Sequence, residues 1–181
     1  VPPNTQRLHW NESPFDFPAA LKSEVLQRLE RAKWSEYPPK MRPYALIARI
    51  AAKHNLPPES VVLSNGSSDV LRIVMSAVLQ PGDAMVTVTP TFYAYKLWGE
   101  RVGARVHEVA LSPVDGFALP TERILTLVQV SQAKLIVLAT PNNPTGKAYP
   151  LTALLRLLHD TDALLLIDEA YAEFCGQDLQ P

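Results

Sequence analysis

The sequence predicts an α/β fold, a three-layer sandwich around a mainly parallel sheet. Three observations lead there. From residue 61 onward, short apolar runs alternate with stretches of helical periodicity. Two of those runs, 135–139 and 163–167, are continuous in apolar residues, as strands covered on both faces are. Each run then ends in a polar loop: Thr140-Pro141-Asn142-Asn143-Pro144-Thr145-Gly146 after the first and Asp168-Glu169-Ala170-Tyr171 after the second. Strands alternating with helices imply right-handed crossovers. Sheets of that kind bind ligands at their carboxyl edge.

The elements follow in order. Residues 1–18 read as an extended, proline-rich arm. Leu21, Val25, Leu29 and Ala32 mark a helical stripe over 19–33. A proline-rich connection, 34–42, leads to a second amphipathic helix over 44–54, stopped by Pro57-Pro58. The first 60 residues are assigned to an N-terminal arm and small-domain segment, and 61–181 to a larger domain. Within the latter, 61–64 reads as a strand. Val70, Leu71, Val74, Met75, Val78 and Leu79 share one face of a helix over 68–79. Pro81-Gly82-Asp83 is a turn. A strand over 84–88, a helix over 92–102 ended by Gly103 and a strand over 104–109 come next. After the loop at Asp115-Gly116 follow a helix over 121–130, a strand over 134–139, a helix over 151–159 and a strand over 163–167. No internal repeat or low-complexity tract appears.

Composition narrows the functional classes. A chain of 181 residues with 47% hydrophobic and 19% charged residues suffices for a sizeable core. The net charge of −1 offers nothing to nucleic acid or to an anionic membrane surface. The apolar runs are too short to span a bilayer. Nothing at the start reads as a secretory signal, and Val1 rather than Met leads to the expectation that the true N-terminus is missing. The single cysteine, Cys175, excludes an internal disulfide and fits a reducing compartment, so a cytoplasmic location is expected. Cys175 has no flanking base to mark a nucleophile. The four histidines show no metal-ligand spacing.

The chemistry concentrates at strand ends. Asp168, Asn143 and Tyr171 offer a carboxylate, an amide and a phenol, which suit a heteroaromatic cofactor carrying a ring nitrogen and a ring hydroxyl. Gly66, Ser67 and Ser68 stand between a strand and a helix. Two readings are open for them: a helix N-cap without a ligand, or a phosphate cup built from free helical N–H groups and hydroxyls. Phe92, after Pro90-Thr91, is either a core aromatic or a ring that stacks on a ligand.

Taken together, the pieces resemble a known family. Asn11-Glu12-Ser13-Pro14, Tyr37-Pro38, Ser64-Asn65-Gly66-Ser67-Ser68-Asp69, Pro81-Gly82-Asp83, Pro90-Thr91-Phe92, 141–146 and 168–171 occur in the order seen in fold-type I, pyridoxal-phosphate-dependent aminotransferases of class I/II. Within that group the chain is most similar to histidinol-phosphate aminotransferase, over roughly its N-terminal half. The resemblance implies pyridoxal 5′-phosphate as cofactor. It places Asp168 on the ring nitrogen, Asn143 and Tyr171 on the ring hydroxyl, Phe92 on the ring face, and Gly66, Ser67 and Ser68 at the phosphate. It implies that Tyr37 reaches a neighbouring subunit's phosphate, hence a homodimer. Asn11 and Glu12 belong to an arm that closes over small amino-acid or keto-acid substrates. The implied reaction moves an amino group from L-glutamate to an imidazole-bearing keto phosphate.

The family's cofactor-bonding lysine lies in a Ser-x-Ser-Lys segment beyond the Asp-Glu-Ala-Tyr motif. None of the seven lysines here has that context. The chain is therefore expected to be a truncated large domain without a catalytic lysine, inactive alone. Other class I/II aminotransferases, a phosphothreonine decarboxylase of the same fold and a non-catalytic pyridoxal-phosphate- or phosphate-binding remnant stay open as alternatives.

Overall fold

A computed structural model describes residues 11–37 and 44–176. Pro38, one of the histidines and one of the lysines read in the sequence lie outside them. The chain divides into two compact units, Val1–Tyr44 and Ala45–Pro181.

The described part of the first unit holds α1 (Ala19–Arg31). Pro18 precedes it with φ −53°, and Arg28 and Arg31 sit in its last turn, where cations suit the dipole. The expected stripe forms but is not covered: Leu21, Val25 and Leu29 are 49%, 47% and 47% exposed. A helix of four turns cannot bury its own apolar face.

In the second unit, α2 (Tyr44–Lys53) packs Ile47 and Ala51 against Val61. Helix α3 (Ser67–Val78) leads to β1 (Ala84–Thr89), α4 (Ala94–Arg101), β2 (Arg105–Ala110), α5 (Thr121–Ser131), β3 (Leu135–Ala139), α6 (Leu151–His159) and β4 (Leu164–Asp168). All strand pairs are parallel, in the order β2-β1-β3-β4. Alternate residues of each strand face opposite layers. Val86 and Val88 of β1 and Ile136 and Leu138 of β3 pack with Ile124 and Val128 of α5 and Leu154 and Leu157 of α6. Met85, Leu135 and Val137 pack with Leu71 and Met75 of α3 and Tyr95 of α4. This is the expected sandwich, with helices on both faces of the sheet. The expected prolines stand at boundaries too: Pro120 and Pro150 directly precede α5 and α6.

Two expectations need correcting. Residues 61–64 form no strand. Val61 is extended (φ −104°, ψ 122°), but the segment joins none of the four paired strands, and a strand exists only through its ladder. The run 163–167 was expected to be buried like 135–139. Among the described residues β4 instead has a strand on one side alone: Leu164 is 48% exposed, and the following residues are half-buried. A continuous apolar run reports lateral position only indirectly, since β3, with neighbours on both sides, is wholly buried.

Candidate cofactor site

The strand order reverses between β1 and β3. From β1 the chain moves outward to β2, then returns through α5 to lay β3 on the other side of β1. At such a switch point the loops leaving adjacent strands diverge to opposite faces and open a crevice at the carboxyl edge. The loops after β1, β3 and β4 carry Phe92, Asn143 and Tyr171.

A cavity of about 70 Å³ opens there, lined by Ser67, Phe92, Tyr95, Asn143, Asp168 and Tyr171 among others. Small-molecule pockets run to roughly 300–1,000 Å³, so these residues form part of the wall of a site. A hollow of about 710 Å³ opens elsewhere, between α5 and α6, lined by Gln129, Gln132, Asp160 and Asp162 among others. Size favours the larger hollow. It sits beside Lys134 and Ala163, at the amino ends of β3 and β4, whereas the converging chemistry is at the carboxyl ends, and chemistry decides.

Asp168 closes β4 as its last residue. Its two oxygens are held separately. Oδ2 accepts a hydrogen bond from the Tyr95 hydroxyl at 2.9 Å, and Oδ1 accepts one from the Ala170 N–H at 3.0 Å. Tyr95 is fully buried on α4. Burial, with the Asp168 charge as the next cause, pushes its phenol far above the ordinary tyrosine range. The proton therefore stays on Tyr95, which acts as a donor at every working pH. The Tyr95 ring also meets Phe92 edge-on, with centroids 5.6 Å apart at 85°.

The loops are tied by Asn142, which is 1% exposed. Its Oδ1 accepts from the Thr91 hydroxyl at 2.7 Å, and its Nδ2 donates to the Pro90 carbonyl at 3.0 Å and to Thr145 Oγ1 at 2.9 Å. The residue before Asn143 thus fastens the β3 loop to the residues before Phe92.

Gly66 caps α3 with φ 81° and ψ 169°, a conformation open in practice to glycine alone. The first N–H groups of α3 are those a helix leaves without intrahelical acceptors. Asp69 enters this turn too. It accepts from the Ser64 hydroxyl and pairs with Arg72 at 2.7 Å, and these two partners hold its carboxyl below the usual range.

Five of the residues singled out in the sequence line one cavity: Ser67, Phe92, Asn143, Asp168 and Tyr171. Gly66 and Ser68 flank Ser67 at the same helix start. Asn11, Glu12 and Tyr37 belong to the first unit and are exposed, Tyr37 to 87%. Sequence reasoning missed Asn142 and weighed Tyr95, with Tyr93, only as a weaker alternative to Phe92 for stacking. Tyr95 differs from its neighbour Tyr93 only by position on α4, which leaves Tyr93 72% exposed. The one signal for Tyr95 was its place three residues after Phe92, on the same helical face.

Comparison with known proteins agrees with this geometry. The family model "Aminotransferase class I and II" matches residues 5–181. The chain belongs to the class I and II aminotransferase family. Among curated members it is similar to the histidinol-phosphate aminotransferases of Chlorobium phaeobacteroides, at 36% identity over 94% of this chain and 47% of that protein, and of Chlorobaculum parvum, at 34% over 95% and 48%. It spans about half the length of the curated relatives it matches. Among solved structures, a mutant aspartate aminotransferase of Thermus thermophilus superposes with a TM-score of 0.82 at 30% identity, over 93% of this chain and 48% of that one. A Sinorhizobium meliloti histidinol-phosphate aminotransferase in complex with pyridoxal-5′-phosphate shares the fold, with a TM-score of 0.81 at 24% identity over 94% and 45%.

Membership brings pyridoxal 5′-phosphate as the family's cofactor, and the donor set fits it. A fixed carboxylate suits a protonated ring nitrogen, an amide and a phenol suit a ring hydroxyl, and an aromatic ring suits the π-face. Among the described residues no lysine lines the cavity, and no helix is long and apolar enough to cross a membrane.

Proposed function

We propose that this chain carries the cofactor-holding face of a pyridoxal-phosphate-dependent aminotransferase that moves an amino group between histidinol phosphate and 2-oxoglutarate, yielding an imidazole-bearing keto phosphate and L-glutamate. One observation supports the cofactor role above all. Four segments distant in sequence, at Ser67, Phe92, Asn143 and Asp168–Tyr171, deliver a hydroxyl, an aromatic ring, an amide, a carboxylate and a phenol to one cavity. Asp168 holds the ring nitrogen, and its charge keeps that nitrogen protonated. Asn143 and Tyr171 orient the ring hydroxyl, Phe92 covers the ring, and Gly66, Ser67 and Ser68 receive the phosphate at the start of α3. When bound, the cofactor supplies an electron sink for charge developing at the substrate's α-carbon.

The choice of substrate rests on the histidinol-phosphate aminotransferases among the relatives. Likeness to aspartate aminotransferase favours a second reading, a class I/II enzyme acting on another amino acid. The functional protein is a cytoplasmic homodimer in which Tyr37 reaches the partner's cofactor phosphate and Asn11 and Glu12 meet substrate. The arm and small-domain segment is assigned to 1–60, which takes in α2 beyond the division of the compact units after Tyr44.

Equilibrium dialysis against pyridoxal 5′-phosphate tests the binding role. The expected result is saturable binding that Asp168→Ala and Asn143→Ala each weaken by about tenfold or more. Binding unchanged by both substitutions refutes it. Substrate choice is tested on the product of the whole gene, with 2-oxoglutarate as acceptor. Faster turnover of L-aspartate than of histidinol phosphate selects the second reading.

A further inference from the structure

The carboxylate that faces the cavity does not hold its own orientation. Asp168 closes β4, and in the loop beyond it the Ala170 N–H donates to Oδ1. Its other oxygen is gripped from across the sheet layer by Tyr95, whose hydroxyl lies 2.9 Å from Oδ2. Tyr95 is buried to 0% exposure among Leu71, Met75, Leu135 and Val137, so its ring has no freedom to swing away. The same ring meets Phe92 edge-on. One side chain of α4 therefore touches both a carboxylate and an aromatic ring of the cavity wall.

We propose that Tyr95 is a positioning residue for the cofactor: its hydroxyl fixes the Asp168 carboxylate toward the pyridine nitrogen, while its ring holds Phe92 at the height of the ring face. This inference rests on the cofactor reading above. A carboxylate gripped at one oxygen by a buried, fixed donor keeps its plane, leaving the remaining lone pairs for the ligand. Without the Tyr95 hydroxyl, Oδ2 loses this restraint and the carboxylate turns more freely about its Cβ–Cγ bond. Burial of the phenol also prevents water from replacing it as donor.

The test is a double-mutant cycle read by equilibrium dialysis, with pyridoxal 5′-phosphate and, separately, inorganic phosphate as probes. Tyr95→Phe keeps the ring against Phe92 and removes only the hydroxyl. It is expected to weaken pyridoxal-phosphate binding roughly tenfold while leaving inorganic phosphate binding unchanged. In an Asp168→Ala background the same substitution is expected to cost less than about twofold, since the group it positions is gone. Tyr95→Leu, which also removes the ring, is expected to weaken binding beyond Tyr95→Phe. Equal losses in both backgrounds, or a parallel loss of inorganic phosphate binding, assign Tyr95 a merely structural role and overturn the inference. Unaltered affinity in Tyr95→Phe overturns it as well. Failure of the parent protein to bind pyridoxal phosphate overturns the cofactor reading, and this inference with it.

Discussion

Replacing Asn142 should damage the fold more through its hydrogen bonds than through its volume. The side chain is 1% exposed and makes three hydrogen bonds, at 2.7, 3.0 and 2.9 Å, that join the loop after β3 to the residues after β1. Each neutral bond contributes about 0.5–1.5 kcal/mol net. Asn142→Ala removes all three and is expected to cost about 3 kcal/mol. For a chain of this size that lowers the melting temperature by roughly 6–12 °C. Asn142→Asp is the sharper test, because it preserves shape. It sets a carboxylate oxygen against the Pro90 carbonyl, where the amide now donates, and buries a charge with no cation among its described hydrogen-bond partners. It is expected to cost at least as much as Asn142→Ala. Thermal unfolding followed by circular dichroism decides. An Asn142→Asp protein that melts within about 2 °C of the parent refutes the reasoning. One milder than Asn142→Ala shows that Asn142 chiefly fills space.

Four further outcomes are expected. Tyr149 is fully buried with its hydroxyl unpartnered among the described residues, so Tyr149→Phe should leave the melting temperature unchanged or raise it by a few degrees; a fall of more than about 4 °C would reveal a bound partner for that hydroxyl. Burial also pushes the Tyr149 phenol up to about 12 from 10.0. Because the folded value lies above the unfolded one, its stabilising share is complete below pH 10 and is lost between pH 10 and 12, at about 1.4 kcal/mol per pH unit. Urea titrations in that window should show a shallower loss for Tyr149→Phe than for the parent, and identical slopes would contradict the assignment. Gly66→Ala meets nothing within 4 Å, yet the φ of 81° should cost about 1–3 kcal/mol; an unchanged melt would show the loop relaxing at no cost. Gly99→Ala would bring a Cβ to 2.4 Å from Met85 Sδ and 2.8 Å from Val106 Cγ2, and overpacking of that kind costs about 1–3 kcal/mol in a denaturant titration, whereas no loss would mean that the α4–sheet contact is loose.

Much of this protein was legible along the chain because its signals are local. A helix announces itself by apolar spacing, and a proline marks where one starts, as Pro120 and Pro150 do for α5 and α6. The polar residues after β3 and β4 stood out because a strand that stops at Asn or Asp delivers that side chain to a known edge of the sheet. Asn143, Asp168 and Tyr171 were found in that way, Ser67 from the Gly66 turn before a helix and Phe92 from its place after Pro90-Thr91. What local signals cannot carry is lateral order. The runs 135–139 and 163–167 look alike as sequence, yet among the described residues β3 has a strand on both sides and β4 on one. The strand expected at 61–64 fails for the same reason, since pairing depends on a neighbour that its own residues do not name.

The chain alone therefore determined the layers, the parallel strands and the residue types offered at the carboxyl edge, all consequences of periodicity and short-range stereochemistry. Only the tertiary structure decided how the cavity wall is braced. Tyr95 and Asp168 lie 73 positions apart, and Asn142 and Thr91 lie 51 apart. Each pair meets only because the switch between β1 and β3 folds distant loops together, and a hydrogen bond formed across such a distance leaves no trace in the local pattern of either partner.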